Sequence, residues 1–378
     1  MADPRPDTLP EPDRLEGAPH PRETGVLYGH AAQESDILQA FNSSRLHHAW
    51  MLTGPKGVGK ATLAWRAARF LLATPEDDGG MFAAPAPDTL DIPAENPVSR
   101  RMLQLAEPRN FLLRRGPNDK ETALSQVISV DEVRKMKSFF ALSAADGGRR
   151  TAIIDSLDEM NTAAANALLK LLEEPPANVT LFLVAHQPAK LLPTIRSRCR
   201  ELRLTPLTPQ DLADALTQAG GDIAPEDRTA LAELSGGSVG EAFRLTNLDG
   251  LKLYIALTRL FSTLPRMDRP QALALADLAA ARGAAETFDL LVTLIDLFLA
   301  RMARRGATGQ TPPEAAPQEA QLLLRLSPNP TAARAWADLA QTLSSRARRG
   351  KAVNLDPAAL LMDMLLKVDE TAGSLAQR

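Results

Sequence analysis

From residue 26 to about residue 204, short apolar runs alternate with stretches whose apolar positions recur at helical spacing. AWMLTG (49–54) is a brief apolar run closed by glycine, which predicts a buried strand. KATLAWRAARFLLA (60–73) follows with Leu63, Ala67, Phe70 and Leu71 on one helical face. NFLLRR (110–115) predicts a strand, and ISVDEVRKMKSFF (128–140) a helix capped at Ser129 or Asp131 with Val133, Met136 and Phe140 inward. RRTAIID (149–155) is a strand ending in a carboxylate. NTAAANALLKLLEEPP (161–176) is a helix capped near Asn161 and stopped by two prolines, and VTLFLVAH (179–186) is a strand buried on both faces. Strands alternating with helices predict an α/β domain, a parallel sheet with helices on both faces.

From about Thr205 the pattern becomes entirely helical. Three short capped segments over 205–247 predict a small helical domain, and 248–378 a longer all-α domain. In the latter, Leu291, Leu294, Ile295, Phe298 and Met302 form one apolar stripe. Leu360, Leu361, Met364 and Leu365 form another, in a helix opened by Asp356-Pro357, and a loop is expected over 304–317. Residues 1–25 hold six prolines and mixed charge with few apolar positions, which reads as a disordered tail. The acidic, Pro- and Gly-rich stretch 75–97 reads as an insertion or long loop.

The candidate chemistry begins with GPKGVGKAT (54–62), a near match to the phosphate-binding loop G-x-x-x-x-G-K-[ST]. Gly54, Gly57 and Gly59 let backbone amides converge on phosphates, and Lys60 is placed to reach the terminal ones. Position 61 should carry the hydroxyl that ligates Mg²⁺, but it is Ala61; Thr62 lies about 100° further round the helix and points elsewhere. Asp155, ending its strand, is the candidate for the metal-supporting carboxylate of such a site; its other reading is a cap on the following turn. The next residue, where many ATPases place a water-polarising glutamate, is Ser156. Asp158 and Glu159 could replace it only across an unusual turn. PTIRSRCRELRL (193–204) concentrates arginines, which alone would read as a solvated basic patch.

Composition narrows the classes. The net charge of −3 argues against a generally basic DNA-coating protein, and 4% aromatic residues argue against base-stacking platforms. Cys199 is the one cysteine, so neither an internal disulfide nor a cysteine zinc site is expected, and a reducing cytoplasm is the natural compartment. No apolar stretch is long enough to span a membrane. His30, His47 and His48 carry no metal-site pattern, so no metal site is assigned. His186 either touches a phosphate or fills space.

Together HHAWMLTGPKGVGKATLA, NALLKLLEEPPANVTLFLVAHQPAKLLPTIRSRC and the helical final third resemble the bacterial clamp-loader subunits of DNA polymerase III, over about residues 26–378. That resemblance implies an AAA+ nucleotide domain (26–204), a helical lid (205–247) and a collar (248–378). It implies a hetero-pentameric ring with gamma/tau motor subunits and a delta subunit, which loads a sliding clamp on primed DNA, with no membrane involved. Arg198 falls where the family's Ser-Arg-Cys arginine reaches the γ-phosphate bound by a neighbouring subunit. Motor subunits have Ser or Thr at position 61, Glu at 156 and a phosphate-contacting arginine where this chain has Gly240; Arg244 could substitute only in another geometry. The resemblance therefore implies a non-hydrolysing member that holds ATP or ADP through Gly54, Gly57, Gly59, Lys60, Ala61, Thr62 and Asp155, carries no zinc, and offers Arg198 in trans. The competing reading is an active motor with Thr62 and Asp158 or Glu159 as stand-ins.

Overall fold

The computed structural model describes residues 11–377 except 16, 76–84, 119, 121 and 142–147. The chain divides into two compact units, Met1–Gly221 with Ser238–Gly240, and Asp222–Gly237 with Glu241–Arg378.

The first unit contains α1 (Ala31–Asn42), β1 (Ala49–Thr53), α2 (Lys60–Ala73), α3 (Pro97–Leu103), β2 (Asn110–Leu113), α4 (Val130–Ala141), β3 (Arg150–Ile154), α5 (Thr162–Glu173), β4 (Val179–Ala185), α6 (Pro193–Arg196), β5 (Arg200–Arg203) and α7 (Pro209–Gln218). The five strands form one parallel sheet in the order β2-β3-β4-β1-β5. Side chains alternate across it, as the period of two requires. Phe182 and Val184 of β4 join Trp50, Leu52 and the apolar residues of α1 and α2 on one face. Leu181 and Leu183 join Leu113, Ile154, Met136 and Leu168 on the other. The α/β expectation is met, with two separate cores around a sheet buried on both faces.

β5 is a strand that apolar patterning does not announce. In Arg200-Glu201-Leu202-Arg203 only Leu202 is buried, because β5 is an edge strand paired on one side only, to β1. The expectation of a disordered tail over 1–25 needs correction for its described part. Residues 11–15 and 17–25 pack onto the domain. Arg22 bonds Glu11 at 2.7 Å and the Leu103 carbonyl at 3.1 Å, and His20 packs edge-on against Trp65 with ring centroids 5.9 Å apart. Residues 1–10 lie outside the described residues. So do 76–84 of the expected insertion; its described residues 85–96 form no helix or strand, and Pro97 opens α3 under an Asn96 cap.

The second unit is helical: α8 (Arg228–Ser235), α9 (Val239–Asn247, whose first two residues belong with the first unit), α10 (Gly250–Ser262), α11 (Arg269–Ala280), α12 (Ala285–Thr308), α13 (Glu319–Leu326), α14 (Pro330–Ala352) and α15 (Pro357–Ala376). The stripe Leu291, Leu294, Ile295, Phe298 and Met302 is fully buried. The loop expected from 304 starts later, because α12 runs on to Thr308 and ends at Gly309 in the left-handed conformation. Gly306 belongs inside the helix because α14 comes close: an added Cβ would lie 2.9 Å from that of Ala333. Among the described residues no helix is long and apolar enough to cross a membrane.

A buried ion pair organises this unit. Glu319 is fully buried and receives Arg301 Nε at 2.7 Å, the Tyr254 hydroxyl at 2.5 Å and the Ala315 amide at 2.7 Å. Arg301→Met leaves that carboxylate uncompensated, and urea unfolding should show a loss of roughly 3–5 kcal/mol. Adding Glu319→Gln, which keeps an acceptor for Tyr254 and Ala315, should recover most of it. A single variant as stable as wild type would show that the pair contributes nothing.

Candidate nucleotide site and the surface arginine

The loop between β1 and α2 is set by glycines that no other residue replaces without displacement. Gly54 has φ +140°, and a Cβ there would lie 2.3 Å from the Leu204 carbonyl oxygen. Gly57 has φ +79°, with the Ser238 hydroxyl 2.4 Å from where its Cβ would be; that hydroxyl donates to the Lys56 carbonyl at 2.8 Å. Gly59 has φ +107° and precedes the first turn of α2. His30, buried, bonds the Val58 carbonyl at 2.8 Å through Nε2, and burial lowers its pKa. It braces the loop from beneath. Close packing at the glycines and hydrogen bonds from Ser238 and His30 together hold the loop's shape.

Lys60 is turned back onto its own loop. Its Nζ donates to the Gly54 and Pro55 carbonyls at 2.7 and 2.5 Å. Burial lowers its pKa to about 8, against the opposing pull of Asp155 and Asp158. Ala61 offers only a methyl group, which packs against the core under α2, so a magnesium ion would find no hydroxyl here. The residues present fit the phosphates of a nucleotide and lack part of the donor set for its metal. Asp155 follows β3 directly and faces the same end of the sheet. Burial pushes its carboxyl up to about 7, helped by the charges of Asp13 and Glu159 and opposed by Lys60 and Lys56.

Among the described residues, the side chains nearest position 156 are engaged elsewhere. Ser156 is buried and its hydroxyl makes no hydrogen bond. Asp158 accepts the backbone amides of His186 and Gln187, so it ties β4's end to the turn after β3. Glu159 pairs with Arg115 at 2.8 Å. Burial and Lys60 drive the His186 imidazole down to about 4, so at neutral pH it brings no positive charge to a phosphate. Arg244 pairs with Glu241 at 2.8 Å.

One neighbour of the site escapes sequence reasoning. Asp13 bonds Arg114 at 2.5 Å and lies 3.0 Å from His20 Nε2. Burial works against its charge, yet the His20 and Arg114 contacts hold its carboxyl below the usual range. Asp13 thus presents a negative charge to Asp155. The segment carries no apolar periodicity, so no pattern signal marks it.

Arg198 lies elsewhere. β5 runs parallel to β1, Arg200 opposite Trp50 and Arg203 opposite Thr53. The loop therefore leaves the carboxyl end of β1, while Arg198 precedes the amino end of β5, more than roughly 10 Å of strand away at about 3.3 Å per residue. The Arg198 guanidinium is partly exposed, steadied by Glu173 at 2.8 Å and the Thr194 carbonyl at 2.9 Å. Burial pushes the neighbouring Cys199 thiol up to about 12, which makes it unreactive at neutral pH. The structure thus places Gly54, Gly57, Gly59, Lys60, Ala61, Thr62 and Asp155 toward the carboxyl ends of the strands and Arg198 at the amino end of β5.

A phosphate loop after β1, a carboxylate after β3 and a strand inserted between them define a P-loop domain of AAA+ layout. Residues 29–208 match the family described as "DNA polymerase III, delta subunit". The DNA polymerase III subunit delta' of Pseudomonas aeruginosa is 36% identical over 201 residues, 52% of this chain and 55% of that one. Its counterpart from Bacillus subtilis is 27% identical over 56% of this chain and 58% of its own. The tau/gamma subunit of Haemophilus influenzae is 28% identical over 56% of this chain and 28% of its own. Residues 29–208 are thus similar to DNA polymerase III subunits, and the chain spans a little over half the length of the delta-prime relatives it matches.

The raised Asp155 carboxyl predicts a pH dependence. Its ordinary value is 3.8 and its folded value about 7, so the folded protein holds this proton more tightly than the unfolded chain. The resulting stability is full below about 3.8 and lost by the time pH exceeds about 7, a change of up to roughly 4 kcal/mol. In thermal unfolding, Asp155→Asn should gain on wild type as pH rises from 4 to 7.5. Parallel curves would contradict a buried, protonated Asp155.

Proposed function

We propose that this chain is a non-hydrolysing, delta-prime-type subunit of the cytoplasmic DNA polymerase III clamp loader. It works in a ring with gamma/tau motor subunits and a delta subunit, helps load a sliding clamp on primed DNA, and presents Arg198 to ATP held by the neighbouring motor. The observation that carries this reading is the separation of loop and arginine at opposite ends of two neighbouring strands. An arginine placed there cannot serve its own loop; it would enter a partner's site by exchanging Glu173 for a phosphate. Loss of the hydroxyl at Ala61 and of the base at Ser156 fits a subunit whose own loop contributes shape and not turnover. ATP or ADP would be held by Gly57, Gly59 and Lys60, with Asp155 at the same end of the sheet.

Arg198→Ala should lower hydrolysis at the motor site it faces by roughly a hundredfold or more while the reconstituted ring still assembles, as read by DNA-stimulated ATPase and gel filtration. An unchanged rate in an assembled ring would refute the finger role. The nucleotide reading has its own test. Affinity for an ATP analogue should change less than about threefold between Mg²⁺ and EDTA, and Ala61→Ser should create a dependence on Mg²⁺. A wild-type affinity that falls tenfold in EDTA would show that another group has taken over the metal.

A further inference from the structure

On the flank of the first unit, α2, α3, the strap at 22–25 and the segment 90–94 enclose a cavity of about 180 Å³. Arg22, Arg66 and Arg69 line it, with Glu23 and Asp91 as the only carboxylates among its lining residues. Two of the arginines are fully occupied. Arg66 bonds Glu34 and Asp91 at 2.6 Å each and the Gly25 carbonyl. Arg22 is spent on Glu11 and the Leu103 carbonyl.

Arg69 differs. Among the described residues it has no carboxylate partner, and its single hydrogen bond runs from Nη2 to the Arg22 carbonyl at 2.6 Å. Its Nε is buried and unpartnered. Arg66, one turn away, adds repulsion to the cost of burial and lowers its pKa. Ser99, 2% exposed, lines the same cavity with its Oγ also unpartnered. Buried donors without acceptors are costly, and a half-buried guanidinium without a counter-ion more so. The arginine Nε–Nη edge is a fork made for two oxygens of one anion, and the Ser99 side chain lining the same cavity offers a further donor.

We propose that this cavity binds a small oxyanion of the phosphate class, held by the Arg69 fork and the Ser99 hydroxyl. A phosphate fits because it brings several acceptor oxygens and enough charge to offset the uncompensated arginine. The volume is too small for a drug-sized ligand, whose sites start at roughly 300 Å³. The site is distinct from the phosphate loop, since neither donor belongs to residues 54–62.

The test is calorimetric titration of the full chain with inorganic phosphate at low ionic strength, in a Lys60→Met background that disables the loop. One phosphate should still bind in that background. Arg69→Gln should weaken it about tenfold or more, and Ser99→Ala severalfold, since each removes a donor to a charged acceptor. If Arg69→Gln does not fold by circular dichroism, Ser99→Ala and Ser99→Val carry the comparison alone. Unchanged binding in the Ser99 and folded Arg69 variants, or loss of all binding in Lys60→Met alone, overturns the proposal. Acetate binding as tightly as phosphate overturns the assignment to the phosphate class.

Discussion

The rest of the first unit depends on the absence of a side chain at Gly54. The Leu204 carbonyl fills the place a Cβ would take, so the chain leaves β1 in a conformation open only to glycine and turns at once into the loop. That close approach ties the loop to the residue following β5, whose amide returns a hydrogen bond to the Thr53 carbonyl at 2.8 Å. From this contact follow the direction of α2 and the place of Lys60 at its first turn. Gly57 and Gly59 repeat the constraint against Ser238 and Leu27. Three positions that forbid side chains explain why the loop keeps its form although position 61 has lost its hydroxyl.

Shape and chemistry have parted within this site. Burial sets the charges: it weakens the proton affinity of Lys60, strengthens that of Asp155 and keeps His186 neutral. Asp158 and Glu159, the acids nearest the missing glutamate, serve as a backbone clamp and as half of an ion pair. The two amides occupy both oxygens of the Asp158 carboxylate. The same sheet carries Arg198 at the opposite end of its strands, paired with Glu173.

Much of this was legible in the sequence, and the exceptions have physical causes. β1, β3 and β4 announce themselves because strands buried on both faces are apolar throughout, and the loop is readable because glycine and lysine spacing reflects backbone geometry. β5 does not, since an edge strand with Arg200, Glu201 and Arg203 exposed keeps only Leu202 as an apolar mark. The segment around Asp13 and His20 is ordered by ion pairs to Arg114 and Glu11 and by Trp65, contacts between distant residues that no local pattern encodes. The end of α12 was misjudged because Gly306 resembles a stop, yet it is the close approach of α14 that requires it. At the site, the identities of Lys60, Ala61 and Asp155 were readable, but the end of the strands at which Arg198 emerges follows only from the register of β5 on β1.

The most direct test of the account is steady-state ATP hydrolysis by the purified chain alone, with Mg²⁺ and primed DNA. The account predicts no turnover above background, with nucleotide bound and released intact. Turnover that accompanies the chain through purification and disappears in Lys60→Ala would contradict it, and would make this protein a motor working with substitute acids.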